Sequence, residues 1–219
     1  MKYITKILIC LACFSASLAQ SQELDNWYSV EILIFSNEDS SALSAEAWPL
    51  LPEPNRRDAV SLQAASDDAA PFSLMKADQM VLKSPSAQLQ RTGQYRTLLH
   101  TGWIQPVART QNPTPVRIVA GNILDNGRYE LEGYIGIGRG QYLHVRPDLY
   151  LNRLLTPSQA SALNRGSRTD TSSEAASSYD FAMPEILSVH LDQPRRMRSG
   201  EIHYIDHPLF GILVSINPL

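Results

Sequence analysis

One stretch near the C-terminus concentrates reactive side chains. "RRMRSGEIHYIDH", Arg195 to His207, holds three arginines, two histidines, one tyrosine and two acids in thirteen residues. Three chemistries suit such a set: a metal centre, acid–base catalysis, or an anion clamp. His203 and His207 are four apart, the spacing of a helical zinc pair. The pattern around them is that of a strand, and Pro208 bars a helix from running through. On a strand, four residues span about 13 Å, too far for two imidazoles to share one ion. No metal and no cofactor are therefore expected.

Catalytic motifs are weak. Ser73-Leu-Met-Lys76 matches S-x-x-K, Ser215-Ile-Asn217 is a loose S-x-N, and His100-Thr-Gly102 mimics K-T-G. Their order along the chain is wrong for a penicillin-binding enzyme. "GIGRG" lacks the spacing of a phosphate loop. Glu130, Glu132 and Glu201 are the carboxylates a sugar hydrolase would draw on, with nothing in the sequence to single one out. The chain is expected to be no enzyme.

The anion clamp follows from alternation. With Ser199-Gly200 as a two-residue hairpin turn, Arg198 faces Glu201, Met197 faces Ile202, Arg196 faces His203 and Arg195 faces Tyr204. Side chains alternate across a strand, so Arg196, Arg198, Glu201 and His203 share one face. Met197, Ile202 and Tyr204 share the other, directed inward. Guanidinium groups bind carboxylates in bidentate fashion. The plainer reading is a solvated face with one cross-strand ion pair, worth well under about 1 kcal/mol. Candidate ligand contacts are Arg196, Arg198 and His203 for carboxylates, with Tyr204, Tyr142 or Trp103 for stacking on sugars. Core packing is the competing role for Trp103.

The elements that must hold these residues are mostly strands. "NWYSVEILIFSN" (26–37) alternates as a strand, with Tyr28, Val30, Ile32 and Ile34 on one side and Ser29, Glu31 and Leu33 on the other. "VRIVAGNIL" and "RYELEGYIGIG" flank Asp125-Asn126-Gly127, a hairpin signal. "GRG" turns the chain into "QYLHVRPDLYL". "EILSVHL", "EIHYI" and "LFGILVSI" follow. Ser84 as N-cap, Pro85 behind it and the row Leu89, Thr92, Tyr95, Leu98, Leu99 predict a helix over 84–100, stopped by Gly102. A shorter helix is expected from Thr156, with Pro157 first inside and Gln159 completing a capping box. Residues 38–78 and 165–180 read as long, mobile loops. The fold class is thus α+β: a single domain on a largely antiparallel sheet of about seven strands, with one main helix and two long loops.

The N-terminus sets the compartment. Lys2 and Lys6, an apolar run from Ile7 to Leu18, and Ser17-Leu18-Ala19 form a secretory signal layout with cleavage after Ala19. The apolar run is too short to span a bilayer. A lipoprotein reading would acylate Cys13 and cut that run in half. Both cysteines, Cys10 and Cys13, fall in the leader, so residues 20–219 have none. An exported, cysteine-free chain of this size fits a bacterial periplasm. Of 19 basic residues two lie in the leader; the other 17 face 22 acidic ones, a net of −5. That balance disfavours nucleic acid. The mature chain, 20–219, is expected to have no membrane span.

"WYSVEILIFSN", "YRTLLHTGWIQP", "LEGYIGIGRGQYLHVRPDLYL" and above all "RRMRSGEIHYIDHPLFGILV" resemble the CsiV family of periplasmic peptidoglycan-binding proteins. The resemblance spans most of the chain outside 38–78 and 165–180. It implies a non-enzymatic protein that binds peptidoglycan and supports wall synthesis and envelope integrity, with a cell-wall synthase or its activator as a further partner. It carries no residue-level binding map, so the contacts above rest on alternation and charge. The alternative is an interaction module that acts on synthases or their activators without touching glycan. The leader leads to a first test. Protein recovered from a periplasmic fraction should begin at Gln20 on N-terminal sequencing; an intact Met1, or lipid on Cys13, would contradict the signal assignment.

Overall fold

A computed structural model describes residues 26–44, 48, 58–62, 70–110, 112–166 and 186–219. The leader, residues 45–47, 49–57 and 63–69 of the first expected loop and residues 167–180 of the second lie outside the described residues. Ten strands and two short helices run in this order: β1 (Trp27–Asn37), β2 (Ser73–Leu74), α1 (Lys83–Arg91), β3 (Tyr95–Pro106), β4 (Val116–Ile123), β5 (Tyr129–Arg139), β6 (Leu143–Leu154), α2 (Pro157–Gly166), β7 (Ile186–Leu191), β8 (Arg195–Met197), β9 (Ile202–His207) and β10 (Phe210–Pro218). The first sheet has the order β2-β3-β1-β10-β9. The second has the order β4-β5-β6-β7, with β8 also on β6. The pairings between named strands are antiparallel. The described residues are mainly β, with more strands than the seven expected, in two sheets instead of one.

The sheets share a core. Val30, Ile32, Ile34, Trp103, Ile212 and Val214 of the first meet Ile118, Leu131, Ile135, Val145, Leu149 and Val189 of the second in one buried cluster. Burying side chains of this size stabilises by about 1.5–3 kcal/mol each. Charged ties join the sheets at their ends. Glu38, just past β1, lies 3.2 Å from Arg96 of β3 and 3.7 Å from Arg153 of β6. Arg96 also pairs with Glu130 of β5. Burial pushes the Glu38 carboxyl upward, but the Ser36 hydroxyl and the two guanidinium groups outweigh it and hold the pKa low. At the opposite end Arg139 of β5 donates to the Tyr28 hydroxyl at 3.3 Å and to Asn26.

β1 is buried on both faces from Val30 to Ser36, which explains why its alternation is blurred. Its second face carries Glu31, Leu33 and Phe35 beneath α1, where Leu33 and Phe35 cluster with Leu82. Glu31 is only 3% exposed. Its carboxylate accepts the backbone N–H of Val81 at 2.7 Å and of Leu82 at 2.9 Å, and meets His100 Nε2 at 2.8 Å. A strand residue thus satisfies the amides leading into α1. Leu82, not Ser84, occupies the cap position, and its side chain contributes no bond.

The helix expected over 84–100 is corrected. It ends at Arg91. The Thr92 N–H bonds the Leu89 carbonyl, and Gly93 takes φ +69°, the left-handed stop that glycine favours. Tyr95 onward then pairs with β1 over its whole length. Tyr95, Leu98 and Leu99 fit a helical stripe locally, but the edge of β1 offers more buried area than a solvent-facing helix. Gly102 sits within β3 instead of ending a helix. The described parts of 38–78 also hold elements: a 3-10 turn (Ser40–Ser44), a bridge from Val60 to Val116, β2, and a second turn (Ala77–Gln79). Arg165 and Gly166 close α2.

Other expectations hold. Asp125-Asn126-Gly127 joins β4 to β5, and the "GRG" segment joins β5 to β6. The capping box is present: Gln159 Oε1 accepts the Thr156 N–H at 3.0 Å, and Thr156 Oγ1 accepts the Gln159 N–H at 3.3 Å. The buried carboxylate generates a stability test. Glu31→Ala strands two amides and His100, and should cost about 3 kcal/mol or more in chemical denaturation. Glu38→Ala, at a half-open surface, should cost about 1 kcal/mol or less. Equal losses would contradict the role given to Glu31.

Candidate functional site

β6 fixes where the reactive residues point. Leu143, Val145, Pro147, Leu149 and Leu151 are buried, while His144, Arg146, Asp148 and Tyr150 alternate with them on the outer face. Two of the four neighbours on that face of β5 are glycines: Gly136 lies opposite Arg146, and Gly138 opposite His144, while Tyr134 faces Asp148 and Glu132 faces Tyr150. β8 adds Arg196 beside His144 and buries Met197 beside Leu143. The Arg196 guanidinium sits 4.7 Å from the centre of the Tyr142 ring. An exposed cation–π contact of this kind contributes about 0.5–1 kcal/mol. It also pre-orients the guanidinium, whose outward N–H groups match a carboxylate.

Further along β6 the same face carries a second aromatic pair. The Tyr150 and His190 rings stack at 4.2 Å with 14° between their planes. His190 Nε2 lies 2.8 Å from Asp148 Oδ1. Past this pair a polar network closes the face. Arg128 donates to Glu132 at 2.6 Å and to Ser188 at 3.0 Å, and fully buried Asn152 bonds both Ser188 and Glu132.

The expected hairpin is corrected. β8 and β9 do not pair with each other. β8 extends the edge of β6 that β7 leaves open, and β9 extends the first sheet along β10. Ser199-Gly200 is a turn between the two sheets, with Gly200 at φ +82° and its N–H on the Ile216 carbonyl at 2.9 Å. The physical reason lies in burial. Met197, 2% exposed, reaches the shared core only by joining the second sheet, and Ile205, 1% exposed, only by joining the first. Arg195 then bridges the two, donating to the Tyr204 carbonyl at 3.3 Å. Met197 points inward as expected. Ile202 and Tyr204 do not: they are 52% and 43% exposed.

The five expected contact residues therefore divide. Arg196 and Tyr142 come together. Arg198 and His203 gather around Glu201 at the inter-sheet turn; His203 Nε2 meets Glu201 Oε2 at 2.9 Å. That hydrogen bond, helped by Arg198, lowers the Glu201 pKa. Tyr204 lies on the far face of the first sheet, stacked on Phe35 at 6.1 Å, with its hydroxyl donated to Asp206. Burial, then the Asp206 carboxylate, push its phenol pKa up. Trp103 is fully buried, with Nε1 on Gln105 at 2.7 Å, and packs the core.

The other chemical candidates take structural roles. Glu130 and Glu132 are held by Arg96 and Arg128. Ser73 is buried in β2. His207 packs between Trp48 and Phe210. Among the described residues no group of three or more His, Cys, Asp or Glu side chains could hold a metal ion. Arg146, Asp148, Tyr150 and His190 were not among the expected contacts. For the first three a signal was present, since "QYLHVRPDLY" places Tyr142, His144, Arg146, Asp148 and Tyr150 at a strict period of two; His190 joins them only through the pairing of β7 with β6.

A family model described as "Peptidoglycan-binding protein, CsiV" matches residues 3–219. No curated protein and no solved structure matches the chain.

The geometry separates packing from contact. Arg196→Ala with Arg198→Ala removes exposed charge and should change stability by about 0.5 kcal/mol per site. Met197→Ala truncates a core side chain and should cost roughly 2 kcal/mol or more. Melting curves of the two variants check this; an arginine variant that melts as early as the methionine one would make the arginines structural.

Proposed function

The chain belongs to the CsiV family of peptidoglycan-binding proteins, and from that premise we propose that it binds peptidoglycan, without cleaving it, through the outer face of the second sheet. The observation that carries this is Arg196 held over the Tyr142 ring at 4.7 Å, with Arg146 exposed on the same face. Peptidoglycan joins stem-peptide carboxylates to amino-sugar rings. Guanidinium groups suit the first and aromatic side chains the second. Arg198, two residues on from Arg196, supplies a further cation, with His203 and Glu201 paired at the same turn. Such binding requires export, so a periplasmic site of action follows from the same reading. No helix among the described residues is long and apolar enough to cross a membrane.

Support of wall synthesis follows if the bound protein holds a synthase, or a synthase activator, close to the polymer. A second reading makes contact with such a protein the main role and glycan incidental. The exposed Ile202 and Tyr204 on the edge strand β9 favour it.

Insoluble sacculi distinguish these readings. The protein should pellet with sacculi and release no soluble fragments. Arg196→Ala with Arg198→Ala should weaken pelleting and flatten its dependence on salt, because the lost contacts are ionic and screened. Met197→Ala, where folded, should pellet like wild type. Released fragments would mean hydrolysis. Absence of pelleting would favour the protein-partner reading.

A further inference from the structure

The outer face of β6 is a line. Tyr150 lies on β6 and Tyr142 in the bend just before it, eight residues apart, which corresponds to at most about 27 Å of extended chain. Each end carries an aromatic ring paired with a second group: Tyr142 beneath Arg196, and Tyr150 stacked on His190. Arg146 and Asp148 lie between. The β5 side of this line is built up. A Cβ on Gly138 would lie 2.6 Å from the Thr110 carbonyl oxygen, and one on Gly136 3.0 Å from Pro113 Cγ. The β3–β4 connection therefore rests directly on those two glycines and forms a bank beside β6. On the opposite side β8 contributes Arg196 and β7 contributes His190. An aromatic ring at each end, charges between them and a bank along one side suit an elongated ligand with a repeating chemistry.

We propose that this face is a linear site that takes several consecutive repeats of a glycan strand lying along β6, with the Tyr150–His190 pair as a second subsite remote from the Arg196–Tyr142 clamp. The proposal rests on the peptidoglycan reading above. A single disaccharide-peptide reaches only one subsite. A longer strand reaches both, and the second contact is then made at high effective concentration.

Soluble peptidoglycan fragments of defined length test this by calorimetric titration: one disaccharide-peptide unit against a chain of four. The wild type should bind the four-unit chain more tightly by about tenfold or more, beyond the roughly fourfold statistical gain of repeated sites. Tyr150→Ala should bring the four-unit chain down to that statistical gain and leave the single unit within about twofold. Arg196→Ala should weaken both ligands. His190→Ala removes the other ring of the second subsite, and should show the same length-selective loss as Tyr150→Ala even if the tyrosine variant fails to fold. Sacculus pelleting accompanies every titration. Loss of pelleting by the wild type overturns the peptidoglycan reading itself. Normal pelleting, with the single unit within about fourfold of the four-unit chain, overturns the linear site alone.

Discussion

What β6 buries decides what it displays. Leu143, Val145, Leu149 and Leu151 are locked into the core shared by the two sheets, so their neighbours must face solvent. A slip of one residue would exchange the two sets and place Arg146 and Asp148 in the core. Uncompensated burial of such charges costs several kcal/mol per ion. The outward row is therefore a consequence of packing. β1 stands behind this constraint. It is buried on both faces, pressed on one side against the second sheet and capped on the other by α1 through Glu31.

The C-terminal segment shows how one sequence can serve both sheets. Met197 and Ile205 are apolar anchors eight residues apart, and the chain between them crosses from one sheet edge to the other. The four charged residues from Arg195 to Glu201 are left at the crossing. Arg195 joins the sheets through the Tyr204 carbonyl, Arg196 turns to the β6 face, and Arg198 stays with Glu201 and His203. Residues adjacent in sequence thus do different work, because each strand is pinned by a different partner.

Local chemistry was legible before the fold was. The Thr156–Gln159 box, the Asp125-Asn126-Gly127 turn and the inward direction of Met197 depend on a few neighbouring residues, and they appear as expected. Errors arose where a distant partner decides. The segment from Tyr95 to Leu99 carries a helical stripe, yet it pairs with β1 some sixty residues earlier. Ser199-Gly200 has the composition of a hairpin turn, but the edges of β6 and β10 were open and claimed one strand each. Glu31 read as a polar face residue of an alternating strand. Its role as cap for α1 depends on a contact across fifty residues. The site was half legible: charge identified Arg196, the period of two over 141–150 carried Arg146 and Tyr150, and only the pairing of β6 with β7 adds His190.

The most direct test of the central claim is a map of where peptidoglycan touches. Backbone and side-chain resonances of the isotope-labelled protein would be followed as soluble peptidoglycan chains are added. The account expects shifts at Tyr142, Arg146, Tyr150, His190 and Arg196, with α1 and Tyr204 unmoved. Shifts centred on Tyr204, Ile202 and α1, with the β6 face silent, would contradict it.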